Sequence, residues 1–329
     1  GLWLPLDPPG GARASLGGIV ATNGAGPLRL AYGAPRDIVL GMKIATTEGK
    51  VFKAGGRVVK NVTGYDTGKL LIGSYGTLGV IVETSFKLFP LPLECATFAM
   101  QTGTLGIARD LRRRILQSPL PPARLVLLDA AAARLARGGD SPLGDPKEPE
   151  LWLEMHGSAR VIERAQRELE SLAKAAGSVA TPIEAERAES FWTRATDLQS
   201  WVPSLPQAAA ILKVSLPDSA SEELISRAEQ EAESEKVQLA AFAQLGVGIV
   251  HLCLWSEAAA PLLAGMIRRL RDAAEALGGA LIVERCPPDI KKGLDVWGAP
   301  GDDFSLMRKM KETWDPKGTL APGRYLGGL

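Results

Sequence analysis

Two stretches of this chain combine glycine with small polar residues in a way that suits binding through the main chain. The first reads Ser15-Leu16-Gly17-Gly18-Ile19-Val20-Ala21-Thr22-Asn23-Gly24-Ala25-Gly26, and the second sets Gly73, Gly76 and Gly79 three apart between two β-branched runs. Glycine lets the backbone turn sharply and approach a bulky ligand where a Cβ would collide, and an extended cofactor is one such ligand. Tight turns between strands use glycine equally well, so the residues leave both readings open. The spacing is not G-x-G-x-x-G opening a helix, which excludes a nicotinamide fingerprint.

The other chemistry-bearing residues are sparse. Cys95, Cys253 and Cys286 are odd in number and far apart, which fits neither a disulfide framework nor a C-x-x-C metal site, and they read as buried thiols in a reducing cytoplasm. His156 and His251 are the two imidazoles of the chain. Net charge is +1, so a nucleic-acid partner has no electrostatic footprint. Residues 1 to 92 carry +5 and the remainder −4, a mild bias that suits a pyrophosphate-bearing ligand near the start. With 46% hydrophobic and 23% charged residues and no apolar run of about 18 residues, the chain is globular and not an integral membrane protein.

Glycine usage marks out the elements that must position these residues. Seventeen of the 36 glycines fall in the first 90 residues, which places a domain boundary near Pro90-Leu91-Pro92. Upstream, Asp37 to Thr46, Val51 to Ala54 and Leu78 to Leu88 read as strands, as does Leu70 to Ser74. Downstream, helices are expected from Ser158 to Gly177, from a Ser219-x-x-Glu222 capping box to about Lys236, and from Ala259 to Leu277. Apolar runs at 123–128, 150–155, 209–216, 237–244, 248–255 and 280–286 read as strands. This order predicts an α+β sandwich of split βαβ topology, with helices on one face of a largely antiparallel sheet. Phe304, Met307, Met310 and Trp314 share one face of a final helix that Asp315-Pro316 ends. No internal repeat is visible.

Residues 14–23, 60–66, 71–83 and the tail Asp315-Pro316-Lys317-Gly318-Thr319-Leu320-Ala321-Pro322-Gly323-Arg324 together resemble the FAD-binding oxidoreductases of the vanillyl-alcohol oxidase type. Within that family, Tyr32-Gly33-Ala34-Pro35-Arg36-Asp37 and Lys60-Asn61-Val62-Thr63-Gly64-Tyr65-Asp66 look most like the FAD-binding E-type subunits of bacterial glycolate oxidases. The resemblance implies the second half of an FAD-binding domain over residues 1–92, a ferredoxin-like α+β cap over 93–297, and a segment 298–329 docking back on the FAD domain. It implies that Ser15, Gly17, Gly18, Thr22, Asn23 and Gly24 line FAD, and that Val80 and Ile81 reach its flavin end through their backbone. Inward-turned glycyl amides suit a diphosphate. Lys60, Asn61, Tyr65 and Asp66 are expected in a structural loop.

Three departures from the family bear on function. The chain starts at Gly1-Leu2-Trp3, too late for the family's upstream pyrophosphate loop, and the start reads as an interior cut. Where catalytic relatives carry two metal-binding histidines and an acidic residue, this chain has Gln244-Leu245-Gly246-Val247-Gly248-Ile249-Val250-His251, so no metal is expected and His251 reads as a sheet residue. Glu284-Arg285 remains as an acid–base pair, Arg285 being able to hold a carboxylate, or else as a strand-end ion pair. The expected role is the flavoprotein subunit of a cytoplasmic glycolate oxidase complex, oxidising a 2-hydroxy acid to its 2-oxo acid. Its partners would be a D-type flavoprotein subunit and an iron–sulfur F-type subunit, with any attachment to the inner membrane made through them. A self-sufficient FAD-dependent oxidoreductase and a cofactor-free scaffold are the alternatives.

Overall fold

The computed structural model describes residues 1–58, 66–137, 143–205, 209–256 and 260–329. They form two compact units, Gly1–Leu91 with Ala299–Leu329, and Pro92–Gly298.

In the first unit, β1 (Leu2–Trp3) is followed by the short helices α1 (Leu16–Thr22), α2 (Arg29–Tyr32) and α3 (Pro35–Ile38), then β2 (Val39–Ala45) and β3 (Val51–Gly55). After α4 (Gly68–Leu71) come β4 (Val80–Phe86) and β5 (Phe89–Pro90). β2 lies between β3 and β4 in an antiparallel sheet, and β1 pairs with β5. Val20, Met42, Ile44, Leu71, Ile72 and Leu78 close the core beneath that sheet.

Three expectations need correcting here. The first glycine-rich segment is a helix, not a loop: the Ser15 hydroxyl caps α1 by accepting from the Gly18 N–H at 3.1 Å, and packing outweighs the helix-weakening glycines. Residues 70–74 are the end of α4 and a turn, not a strand. The run from Asp37 enters its strand only at Val39, because Pro35 opens a helical turn there.

The second unit is built on β6 (Glu94–Gln101), α5 (Leu105–Leu116), β7 (Arg124–Leu128), α6 (Ala130–Arg137), β8 (Glu150–Gly157), α7 (Ala159–Ala175), β9 (Thr181–Ile183) and α8 (Ala185–Thr196). It continues through β10 (Ala209–Ser215), α9 (Ser221–Glu235), β11 (Gln238–Gln244), β12 (Ile249–Trp255), α10 (Ala260–Ala276), β13 (Ala280–Arg285) and α11 (Pro288–Lys291). All eight strands join in one antiparallel sheet of order β13-β10-β12-β11-β7-β8-β6-β9.

That order holds an internal repeat which the sequence conceals. In each half the first strand lies between the fourth and the third, the ferredoxin-like arrangement, and the halves meet where β7 pairs with β11 from Val126–Gln244 to Leu128–Phe242. The fold is thus α+β, a doubled ferredoxin-like sheet. α6 and α8 cover the face bearing Trp152 and Phe242, opposite α5, α7, α9 and α10, so helices occupy both faces rather than one. The ring of Phe191 stacks on Trp152 at 3.7 Å under α8.

The expected capping box is also absent. α9 starts at Ser221, and buried Glu222 sits 3.0 Å from Arg112 Nε on α5 instead of reaching back to Ser219. Of the thiols, Cys253 is buried, Cys286 is partly buried and Cys95 is exposed. The chain closes with α12 (Phe304–Trp314), whose Met310 and Trp314 pack on the first unit's core.

Candidate functional site

In the first unit the two glycine-rich segments are hydrogen-bonded to each other. The Gly73 N–H donates to Val20 O at 3.3 Å and the Tyr75 N–H to Ala21 O at 2.8 Å, so the turn after α4 satisfies carbonyls that the end of α1 leaves open. Gly73, Tyr75 and Gly76 all have left-handed φ, of 85°, 56° and 73°.

Each expected cofactor residue has a structural partner as well. A Cβ on Gly17 would lie 3.2 Å from Ile81 O, so this glycine lets α1 press against β4. Thr22 Oγ1 donates to Gly18 O at 2.8 Å, Asn23 takes the left-handed position ending α1 while its Oδ1 accepts from the Arg36 N–H at 3.0 Å, and Gly24 N–H donates to Ile19 O. Ile81 points its side chain at the core and its carbonyl lies against Gly17, whereas Val80 and Val82 are 51% and 55% exposed.

These residues suit FAD chemically. Ser15, Leu16 and Gly18 are exposed at the start of α1, where small residues leave room for a ligand although the Gly18 N–H is taken by the Ser15 hydroxyl, and the exposed valines of β4 offer an apolar ledge for a ring system. Lys60, Asn61 and Tyr65 lie outside the described residues. Asp66 is exposed just before α4.

The second unit carries a polar cluster on the β-sheet. Lys213 on β10 and Phe242 on β11 both pair directly with His251 on β12. His251 is 6% exposed, and its Nδ1 lies 3.6 Å from Glu284 Oε2, beyond hydrogen-bond length. Gln244, on the same face, is 5% exposed, and its Oε1 has no hydrogen-bond partner among the described residues. The pairing of β10 with β13 slips between Ile211 and Leu212, a bulge that leaves Glu284 as the extra residue and re-aims it. Burial works to raise the Glu284 carboxyl, yet the His251 ring and the Lys213 ammonium hold it below the usual carboxylate range. Arg285 is not its partner: Nη1 of Arg285 donates to Gln199 Oε1 at 2.9 Å, which replaces the expected strand-end ion pair.

The internal repeat shows how unusual this cluster is. By ladder register, Lys213, His251 and Gln244 occupy the places of Ala99, Trp152 and Leu128 in the other half. There the three are core residues under α8. Three places that hold apolar side chains in one half hold polar ones in the other at a desolvation cost, which makes this cluster a candidate functional surface. Lys213 and Gln244 were not singled out from sequence as chemical groups; the available signal was a lysine interrupting the apolar run Ala209–Leu216. Among the described residues no group of three His, Cys, Asp or Glu could hold a metal. Burial pushes the Cys253 thiol up to about 12 and raises Cys95 and Cys286, so none is a ready thiolate.

Comparison with known proteins places the chain in a family. Residues 96–325 match the family described as FAD linked oxidases, C-terminal domain, and residues 1–55 match an FAD binding domain. A mitochondrial D-lactate dehydrogenase [cytochrome] of Arabidopsis thaliana is 29% identical over 99% of this chain, and glycolate oxidase subunit GlcE of Escherichia coli is 34% identical over 67% of it. The chain spans 58% and 53% of those two proteins. Glycolate oxidase subunit GlcD of Bacillus subtilis is 25% identical over 98% of the chain and 70% of its own length. The 4-ethylphenol oxidase of Gulosibacter chungangensis superposes with a TM-score of 0.72 at 16% identity, over 97% of this chain and 71% of that one, a likeness of fold. By the match that spans most of its length, the chain belongs to the FAD-linked oxidases, with FAD as the family's cofactor.

Proposed function

We propose that this chain is the flavin-bearing part of a 2-hydroxy acid oxidoreductase, with FAD held at Ser15–Gly18 and along Val80–Val82. The observation that carries the substrate class is the polar cluster of Lys213, His251, Glu284 and Gln244, the first, second and fourth of which replace apolar Ala99, Trp152 and Leu128 at the equivalent places of the other half. FAD, when bound, supplies a two-electron acceptor. The ammonium of Lys213 would pair with the acid's carboxylate, and the side-chain amide of Gln244 would donate to its hydroxyl oxygen. Oxidation to the 2-oxo acid removes a hydroxyl proton, which His251 would accept with Glu284 steadying the imidazolium, and an α-hydride, for which FAD would be the acceptor.

Relatives that are subunits of glycolate oxidase support glycolate as substrate and assembly with a D-type subunit; an iron–sulfur F-type subunit and a cytoplasmic location belong to the same proposal. Dehydrogenase relatives matching nearly the whole chain support D-lactate as a second substrate and a self-sufficient enzyme. Among the described residues no helix is long and apolar enough to cross a membrane.

The test is anaerobic mixing of the FAD-loaded chain with glycolate or D-lactate. Loss of the visible flavin absorption is expected with at least one acid, slowed about 100-fold in His251→Asn, the scale of a lost general base. A flavin that stays oxidised with both acids would overturn the reading.

A further inference from the structure

α12 and the segment after it hold a charged group where packing alone would place an apolar one. Lys311 is 9% exposed on a helix whose Met310 and Trp314 face the core. Its Nζ donates three hydrogen bonds, to Asp315 Oδ2 at 2.6 Å, Leu320 O at 2.7 Å and Thr77 O at 2.9 Å. Asp315, 2% exposed, accepts from the N–H groups of Thr319 at 2.9 Å and Leu320 at 2.7 Å. A buried ion pair of this kind adds little stability over an apolar replacement, so its value lies in what it fixes.

What it fixes is the end of the turn that carries Gly73, Tyr75 and Gly76. Thr77 N–H and Oγ1 both bond Ser74 O, and the Lys311 ammonium holds the Thr77 carbonyl from the other side. At the middle of the turn the ring of Tyr325 stacks on Tyr75, centroids 5.5 Å apart and 28° between planes. Tyr75 is a non-glycine residue in left-handed backbone, a conformation that persists only where its surroundings enforce it. Between these anchors sits Gly76, at φ 73°, with open space where its Cβ would be.

We infer that Lys311 and Tyr325 are positioning residues for FAD: the tail clamps the Gly73–Thr77 turn in its strained form, and the turn in turn fixes α1, whose start meets the cofactor. The inference rests on the proposed FAD site in this unit, and the route is continuous, from Lys311 to Thr77, through Tyr75 N–H to Ala21 O, and along α1 to Ser15. Neither residue touches the cofactor itself.

The experiment uses the full chain as Tyr325→Ala, Tyr325→Phe and Lys311→Met, with thermal midpoints as the control for folding. Two quantities are read: deuterium uptake in a peptide covering residues 71–77, and the dissociation constant for FAD from quenching of its fluorescence. Tyr325→Ala and Lys311→Met are expected to speed uptake in that peptide and weaken FAD binding, each about tenfold, while Tyr325→Phe, which keeps the stack, stays within about twofold. Unchanged uptake in a folded Tyr325→Ala overturns the clamp whatever the flavin does. Faster uptake with unchanged FAD affinity overturns its role toward the cofactor. A parent chain with no saturable quenching overturns the FAD site itself, and the positioning role with it.

Discussion

Asp129 is a residue whose environment sets a measurable pH dependence. It sits where β7 hands over to α6, at the junction of the two sheet halves, 5% exposed. Oδ1 accepts from the Ala132 N–H at 2.6 Å, which caps α6, and Oδ2 accepts from the Ala241 N–H of β11 at 2.8 Å. Burial pushes its carboxyl up to about 7, against the lowering effect of those N–H groups, and Glu229 adds to the rise. A carboxyl whose pKa is higher in the folded chain than in the unfolded one keeps its proton longer when folded. Its contribution therefore favours folding at acid pH and is lost as pH rises from the ordinary aspartate value toward 7. The expected result is a urea midpoint that falls between pH 5 and 7.5 in the parent relative to Asp129→Asn, at up to about 1.4 kcal/mol per pH unit. Parallel profiles for the two proteins would contradict this. The candidate face follows the same reasoning: among the described residues, buried His251 Nδ1 and Gln244 Oε1 have no hydrogen-bond partner, and a ligand could satisfy them.

At the scale of elements, close backbone approach sets the first unit. A Cβ on Gly79 would lie 2.6 Å from Ile44 Cγ2 at the centre of that core, so Gly79→Ala is expected to cost about 1–3 kcal/mol of unfolding free energy in a denaturant titration. A loss below about 0.5 kcal/mol would show that β2 and β4 can part more easily than the packing implies. The strands were largely legible because short, mostly apolar runs such as Ala123–Leu128 and Gly248–Trp255, each broken by a single polar residue, have few alternatives. α1 was not, because two adjacent glycines argue against a helix until Ile81 is known to lie behind Gly17. Ser219-x-x-Glu222 misled because Glu222 is drawn to Arg112, a partner 110 positions away that no local pattern reveals. Lys311 was hidden likewise. It shares a helix face with Trp314, yet only the fold shows Thr77 and Leu320 waiting for its ammonium.

For the whole molecule, the repeat in the second unit explains how one sheet can be both scaffold and chemical surface. Both halves share topology, but equivalent places hold Ala99 against Lys213 and Trp152 against His251. That chemical divergence is why no repeat shows in the sequence. One half stacks Phe191 on Trp152 and buries its charge as the Arg137–Glu150 pair, whereas the other sets Lys213 and Glu284 around buried His251, the equivalent of Trp152, at some cost in stability. The expected FAD residues were legible as glycine-rich segments, but their order came from contacts between distant segments: Gly73 and Tyr75 with the end of α1, and Lys311 with Thr77. We propose that this backbone frame of the first unit is what holds FAD. Equilibrium titration of the folded chain with FAD tests it most directly: saturable binding of one FAD per chain, abolished in Gly18→Asp, is the predicted result, and a chain of native circular dichroism that leaves FAD free at all concentrations would contradict it.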